Sequence, residues 1–213
     1  MIRLRMVVSC CSAIVIMLLA SGCALLSKAE PSLVRYFDLD RAGKPTQGTS
    51  DRREGTAASR VSLRLGPVIG AVHLEERLVY RLSQQEIAFH RDWRWTSPPH
   101  HYLKLQLART LFEERGLRHV VGGTGPTLDV QLLDFDEIRT PEHVARARCL
   151  ARLMLAHEVV LEVTLVVERP IPSSKHADMP DAIVEALSEV MRLMVTAVAD
   201  EVTKKLLQGR PID

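Results

Sequence analysis

Aromatic residues are scarce. Phe, Trp and Tyr together make up 4% of the 213 residues, so Leu, Val, Ile, Met and Ala must build the core. Charge is nearly balanced, at 28 basic against 26 acidic residues, which excludes a broad grip on nucleic acid. Beyond the first two dozen residues no long apolar run appears, so no further membrane-spanning helix is expected. No unit repeats at periods of 20 to 50 residues. Hydrolase signatures are missing too: there is no Gly-x-Ser-x-Gly, no His-Glu-x-x-His and no isolated acidic pair with histidine support. The glycine cluster Gly122-Gly123-Thr124-Gly125 lacks the Gly-Lys-Ser/Thr ending of a phosphate loop, and a strand pattern follows it rather than a helix.

What is present begins at Met1–Cys23. Arg3 and Arg5 precede an apolar run, Met6–Leu19, and the small residues Ala20, Ser21 and Gly22 lead to Cys23. Basic, apolar, small, cysteine is the layout of a bacterial lipoprotein signal. The apolar run is too short for a permanent span, which needs about 20 residues. Small residues leave the backbone open to a signal peptidase, and the Cys23 thiol is the nucleophile that accepts diacylglycerol. The common lipobox has Leu three places before the cysteine, whereas Ala20 stands there. A plain secretory signal and an uncut anchor are the competing readings. The expected domains are a cleaved signal over 1–22, a lipidated tether over 23–33 and one domain over 34–208. Removal of 1–22 takes away Cys10, Cys11, Arg3 and Arg5. Cys23 and Cys149 remain, so no internal disulfide is expected.

The rest patterns as a mixed chain. Val34–Asp40 alternates and predicts a first strand. Arg41–Ser59 has no large apolar residue and predicts a long exposed loop. In Arg60–Val68, Val61, Leu63 and Leu65 point one way, and Gly66-Pro67 ends or bends the strand. Leu78–Leu82 and Glu86–His90 flank Ser83-Gln84-Gln85 as a hairpin. Trp93 and Trp95 sit just beyond it and predict a packed corner under the next helix. Ser97-Pro98 is a helix start, with the helix running to Arg115 and stopping at Gly116. Leu103, Leu107 and Leu111 form its core row, widened by Leu105, Ala108 and Phe112. His100 and His101 point about 100° apart on a helix, which suits them poorly to one metal ion and predicts solvated side chains.

A short strand is expected at His119–Val121. Thr127–Ile138 alternates through Leu128, Val130 and Leu132, then switches parity to Leu133 and Phe135, which predicts a bulge. Asp134, Asp136 and Glu137 invite a metal or acid–base reading, but no glycine-bearing calcium loop surrounds them. Carboxylates solvated at a strand edge are expected. Val144–His157 stands open between helix, by propensity, and strand, by its alternation of Ala145, Ala147, Cys149, Ala151 and Leu153 with Arg146, Arg148, Leu150 and Arg152. A long antiparallel hairpin turning near Ala156-His157-Glu158 into the strand Val159–Glu168 accounts for both segments. Cys149 is then an inert core thiol, and the arginines face water or a partner. Pro170–Pro180 is a loop. Asp181–Leu207 is the longest helix, striped by Ile183, Leu187, Val190, Met194, Val198, Val202 and Leu206, and ended by Gly209 and Pro211.

The order of these elements resembles a known family. Tyr36-Phe37-Asp38-Leu39 follows the tether, Leu65-Gly66-Pro67-Val68 closes the second strand, and Arg81 leads through to Arg94-Trp95 before the first helix. This is similar to the PqiC-like ABC-type transport auxiliary lipoproteins, over roughly Val34–Leu207. The resemblance implies an α+β fold: a curved mixed, largely antiparallel sheet with two main helices packed on one face. It implies no enzymatic activity, no catalytic residue, no metal and no cofactor beyond the diacylglycerol and N-acyl chain on Cys23. Its expected partners are the membrane, through that anchor, and components of an ABC transporter or a mammalian-cell-entry (MCE) assembly. No nucleic acid is expected, and a homo-oligomer stays open.

Three functions compete. An adaptor docks an envelope-spanning lipid-transport assembly, a carrier holds an apolar ligand between helices and sheet, and a hydrolase lacks its motifs. Ala24, not Asp, follows Cys23, and nothing acidic appears before Glu30, so release to the periplasmic face of the outer membrane is expected. Ala24–Leu33 would reach about 35 Å when fully extended.

Overall fold

A computed structural model describes residues 33–40, 61–172 and 180–208. The signal, Cys23, most of the tether, the Arg41–Ser59 loop, most of Pro170–Pro180 and the ends at Gly209 and Pro211 lie outside the described residues. All described residues except Leu33 belong to one unit, Val34–Asp213.

Eight strands are described: β1 Arg35–Phe37, β2 Ser62–Gly70, β3 Arg77–Arg81, β4 Ile87–Trp95, β5 Arg118–His119, β6 Thr127–Ile138, β7 Val144–Leu155 and β8 Glu158–Pro170. Two helices accompany them, α1 Pro99–Ala108 and α2 Pro180–Gln208. The class is α+β, as expected. β6 is the central strand. One of its edges pairs antiparallel with β7 along its whole length, and the other is shared by β2 and β3, both parallel to it. β4 pairs antiparallel with β3 and parallel with β1, β5 pairs parallel with β2, and β8 continues antiparallel from β7. The two longest pairings are antiparallel, and the sheet does not close.

The parity switch in Thr127–Ile138 is a register shift between Leu132 and Asp134. β2 runs through Gly66-Pro67 to Gly70, with its own register shift between Leu65 and Val68. A Cβ on Gly66 would lie 2.0 Å from Asp129 Oδ1, so the absence of a side chain there lets β2 lie against β6. β4 extends through Trp93 and Trp95 rather than stopping short of them. Trp95 is buried with its ring 5.7 Å from that of Phe135.

The open choice at Val144–His157 resolves to strand. Ala156 and His157 take positive φ, 48° and 74°, in a two-residue turn between Leu155 and Glu158. Tertiary packing overrides helix propensity here. Ala145, Ala147, Cys149 and Ala151 are small enough for α2 to lie close, and the Cys149 thiol reaches Met194 Sδ at 3.1 Å. Along α2 the stripe Ile183, Leu187, Val190, Met194, Val198 and Val202 is buried as its spacing predicts.

α1 departs from expectation at both ends. Ser97 does not cap it. Pro98 holds the cap position with no side-chain hydrogen bond, and the Tyr102 hydroxyl pairs with Thr96 Oγ1. After Ala108 the coil widens over Arg109–Glu114, with Arg115 N–H donating to the Thr110 carbonyl, before Gly116 ends the segment at φ 67°. Leu103, Leu107 and Leu111 are buried as a row, whereas Leu105 is 61% exposed and belongs to the opposite face. The predicted strand His119–Val121 begins one residue earlier and ends sooner, at Arg118–His119.

Candidate functional site

The acidic run Asp134, Asp136 and Glu137 is neither at a strand edge nor solvated. It lies on central β6, and all three side chains are buried. A row of carboxylates inside a sheet requires cations, and the fold brings them from elsewhere in the chain.

Past the bulge, Asp134 and Asp136 share the face of the sheet opposite α2. Arg81, at the end of β3, donates from Nη2 to Asp134 Oδ1 at 2.8 Å and from Nε to Asp136 Oδ2. Arg148 on β7 forms an ion pair with Asp134, its Nε 2.6 Å from Oδ2. The arginine stripe of β7 continues outward to β8, where Arg146 meets Glu168 and Arg152 meets Glu162, each at 2.6 Å. The stripe is therefore a cross-strand ion ladder rather than a row of free arginines. Burial pushes the Asp136 carboxyl above its usual range, against the lowering effect of Arg81, and its Oδ1 has no hydrogen-bond partner.

Glu137 points to the opposite face. His90 Nε2 donates to its Oε2 at 2.7 Å, His143 Nε2 to its Oε1 at 2.8 Å, and Arg139 Nε to its Oε1 at 3.0 Å. Trp93 stacks on His90 with ring centroids 4.0 Å apart, and Tyr80 lies under Arg139 at 4.0 Å. Burial pushes this carboxyl up, but the bonds from His90, Arg139 and His143 outweigh it and hold it at about 2. A carboxylate so held is a poor proton acceptor near neutral pH and no proton donor.

Cys149 is inert as expected, because burial pushes its thiol up to about 12. His101 is exposed. His100 is not solvated as expected: it packs over Gly70, its Nδ1 makes no hydrogen bond, and burial, then His101, lowers its pKa. Among the described residues no group of three His, Cys, Asp or Glu side chains is arranged to hold a metal ion. The titratable groups at the centre of the sheet thus serve as structural ion pairs. Surfaces remain as the candidate site: the outer ion ladder and the outer edge of β8, which no strand pairs among the described residues. Cys23, the one site residue singled out in the sequence, lies outside the described residues. Arg81, His90 and His143 carried no local signal as partners, since 53, 47 and 6 residues separate them from their carboxylates.

The class the fold defines is an α+β domain whose central charges are internally neutralised. The family model described as ABC-type transport auxiliary lipoprotein component matches residues 44–199, and the chain belongs to that family. A crystal structure of a Xanthomonas campestris protein of family DUF330 superposes with TM-score 0.61 at 18% identity, covering 70% of this chain and 86% of that one. A second solved structure, of an uncharacterized protein, superposes with TM-score 0.56 at 17% identity, covering 80% of this chain and 99% of that one. These likenesses bear on the fold alone. No curated protein matches the chain.

Proposed function

We propose that this chain is a lipid-anchored periplasmic adaptor of an ABC-type transport system. It works without enzymatic activity beside an MCE-type partner in moving lipid between membranes. The observation that carries the reading is the match of residues 44–199 to the auxiliary lipoprotein family. The geometry supports an adaptor over a carrier. α2 meets the sheet through a stripe of fully buried Ile, Leu, Val and Met side chains, packed on the alanines of β7, where a cargo between helix and sheet would need space. The depressed carboxyl of Glu137 and the raised thiol of Cys149 support the non-enzymatic reading. Residues 1–22 serve as the signal, residues 23–33 as the tether, and Cys23 carries the diacylglycerol and N-acyl chain. Two or three acyl chains hold a protein stably, whereas one holds it only marginally.

Pull-down from crosslinked membranes tests the adaptor. An ATPase, permease or MCE-type component should be recovered, and lipid co-purifying in stoichiometric amount without any such component would favour the carrier instead. Sucrose-gradient fractionation tests the outer-membrane assignment made from Ala24. The wild-type protein should run with outer-membrane markers, and Ala24→Asp should move it to the inner membrane. Wild-type protein in the inner-membrane fraction, unmoved by the substitution, would sink that assignment.

A further inference from the structure

The chain enters the fold through an exposed apolar stretch. Leu33, Val34 and Tyr36 are 85%, 46% and 63% exposed, three large side chains within four positions. They stand where the tether meets β1, an edge strand of three residues paired with β4. Single exposed apolar residues are ordinary, but a run of them at the point of attachment marks a surface with a partner.

Cations continue from this stretch across the sheet. Tyr36 pairs in register with Arg94 of β4, and Arg94 with Arg77 of β3. Residues paired in register share a face, so the three form one row over three strands. The Arg77 guanidinium lies 4.8 Å from the ring centroid of Phe89, and Arg94 Nη1 donates to the His90 and Trp93 carbonyls at 3.2 and 2.9 Å. Among the described residues neither arginine meets a carboxylate. The acids nearby are engaged elsewhere: Asp40 accepts from Gln106 of α1, and Asp92 lies 3.9 Å from Arg91. Glu76 precedes Arg77 without pairing to it. Like charges directly opposed across strands are destabilising, so the row Arg94–Arg77 calls for an anion from outside the described fold.

We infer that this corner docks on the phospholipid surface that holds the chain's own anchor, with Arg77 and Arg94 taking headgroup phosphates and Leu33, Val34 and Tyr36 lying at headgroup level. The inference rests on the acylation of Cys23. Three features select a lipid surface. Residues 24–33 cannot carry Val34 more than about 35 Å from the leaflet, so even a modest affinity keeps the patch occupied. A planar guanidinium fits phosphate oxygens as a fork. The amphipathic ring of tyrosine suits the boundary between acyl chains and water. Docking here would also orient the domain. β1 and β8 are opposite ends of the path β1-β4-β3-β6-β7-β8, so the ion ladder of β7 and β8 is left to a protein partner.

The test uses the full-length protein in vesicles of equimolar phosphatidylethanolamine and phosphatidylglycerol, with p-benzoylphenylalanine in place of Tyr36. Intact mass first reports acylation. Illumination should then give a phospholipid adduct at position 36, and the same photoprobe in place of Val166 on β8 should give at least fivefold less. Vesicles of phosphatidylcholine alone, or high salt, should cut the adduct at position 36 about fivefold or more. An arginine near an anionic surface contributes roughly fivefold to binding, and salt screens it. Arg77→Glu should cut the adduct as much without lowering the melting temperature, because the new carboxylate faces Arg94. Loss of lipid contact with stability kept separates docking from a merely structural role. Acylated protein with no lipid adduct overturns the inference and leaves the anchor standing. So does an adduct indifferent to both lipid charge and Arg77→Glu, or crosslinking of position 36 to protein instead of lipid. Protein without acyl chains overturns the anchor and the inference together.

Discussion

Asp136 and Glu137 are neighbours on one strand, both buried, and they titrate in opposite directions. Asp136 faces the outer side, rests on one guanidinium and leaves Oδ1 unpartnered, so burial prevails and its carboxyl is raised. Glu137 faces the other side and accepts from two histidines and an arginine, so the donors prevail and its carboxyl falls to about 2. The difference shows that burial alone does not set a buried acid. What decides is how many donors the fold delivers to it. Pleating does the sorting, because consecutive residues of one strand face different neighbours.

Removing the better-held charge should have the largest effect. Glu137→Gln keeps the shape and removes the charge on which His90, His143 and Arg139 converge. A loss of about 3 kcal/mol in urea unfolding is expected, the scale for breaking a buried ionic network. Asp136→Asn should lose about 1 kcal/mol, because Arg81 keeps Asp134 and the lost carboxylate was already opposed by its burial. Equal losses from the two substitutions would erase the contrast between the neighbours.

The acid limb of stability sharpens it. Glu137 has a folded pKa below its ordinary 4.5, so its contribution is fully present above that value and disappears as pH falls toward about 2. Asp136 has a folded pKa above its ordinary 3.8, so its linkage has the opposite sign: it favours the folded state below 3.8 and is lost as pH rises through the folded value. Between pH 4.5 and 2, Glu137→Gln should therefore flatten the fall in stability measured by urea titration, and Asp136→Asn should steepen it. The smallest effect belongs to the rim of the ladder. Arg152 and Glu162 are about half exposed, and Arg152→Ala should change stability by less than about 1 kcal/mol.

The Asp134–Glu137 run also marks where sequence reasoning stopped. Its bulge was legible, because an apolar parity switch from Leu132 to Leu133 and Phe135 has few other causes in a strand. Its burial was not. Placing β6 at the centre depends on β2 and β3 sharing one edge, and no local pattern encodes which strands are neighbours. The same limit applies to Ser97, a cap by residue type, whereas the cap position falls on Pro98 and Tyr102 pairs with Thr96.

By itself, the sequence determined the local periodicities and their punctuation: the α2 stripe, the Leu103, Leu107 and Leu111 row, the stop at Gly116, and the alternation that puts Cys149 with Ala147 and Ala151. Each is set by residues within a few positions of one another, through side-chain direction and backbone preference. Tertiary structure alone decided the choice of strand over helix at Val144–Leu155, where α2 needed a surface of small residues to lie against. It decided the pairing of the β7 arginines with acids on β6 and β8, and the opposite fates of Asp136 and Glu137. Those outcomes depend on groups from different strands meeting, from Arg152 and Glu162, 10 residues apart, to Arg81 and Asp136, 55 apart, and only the folded sheet fixes such distances.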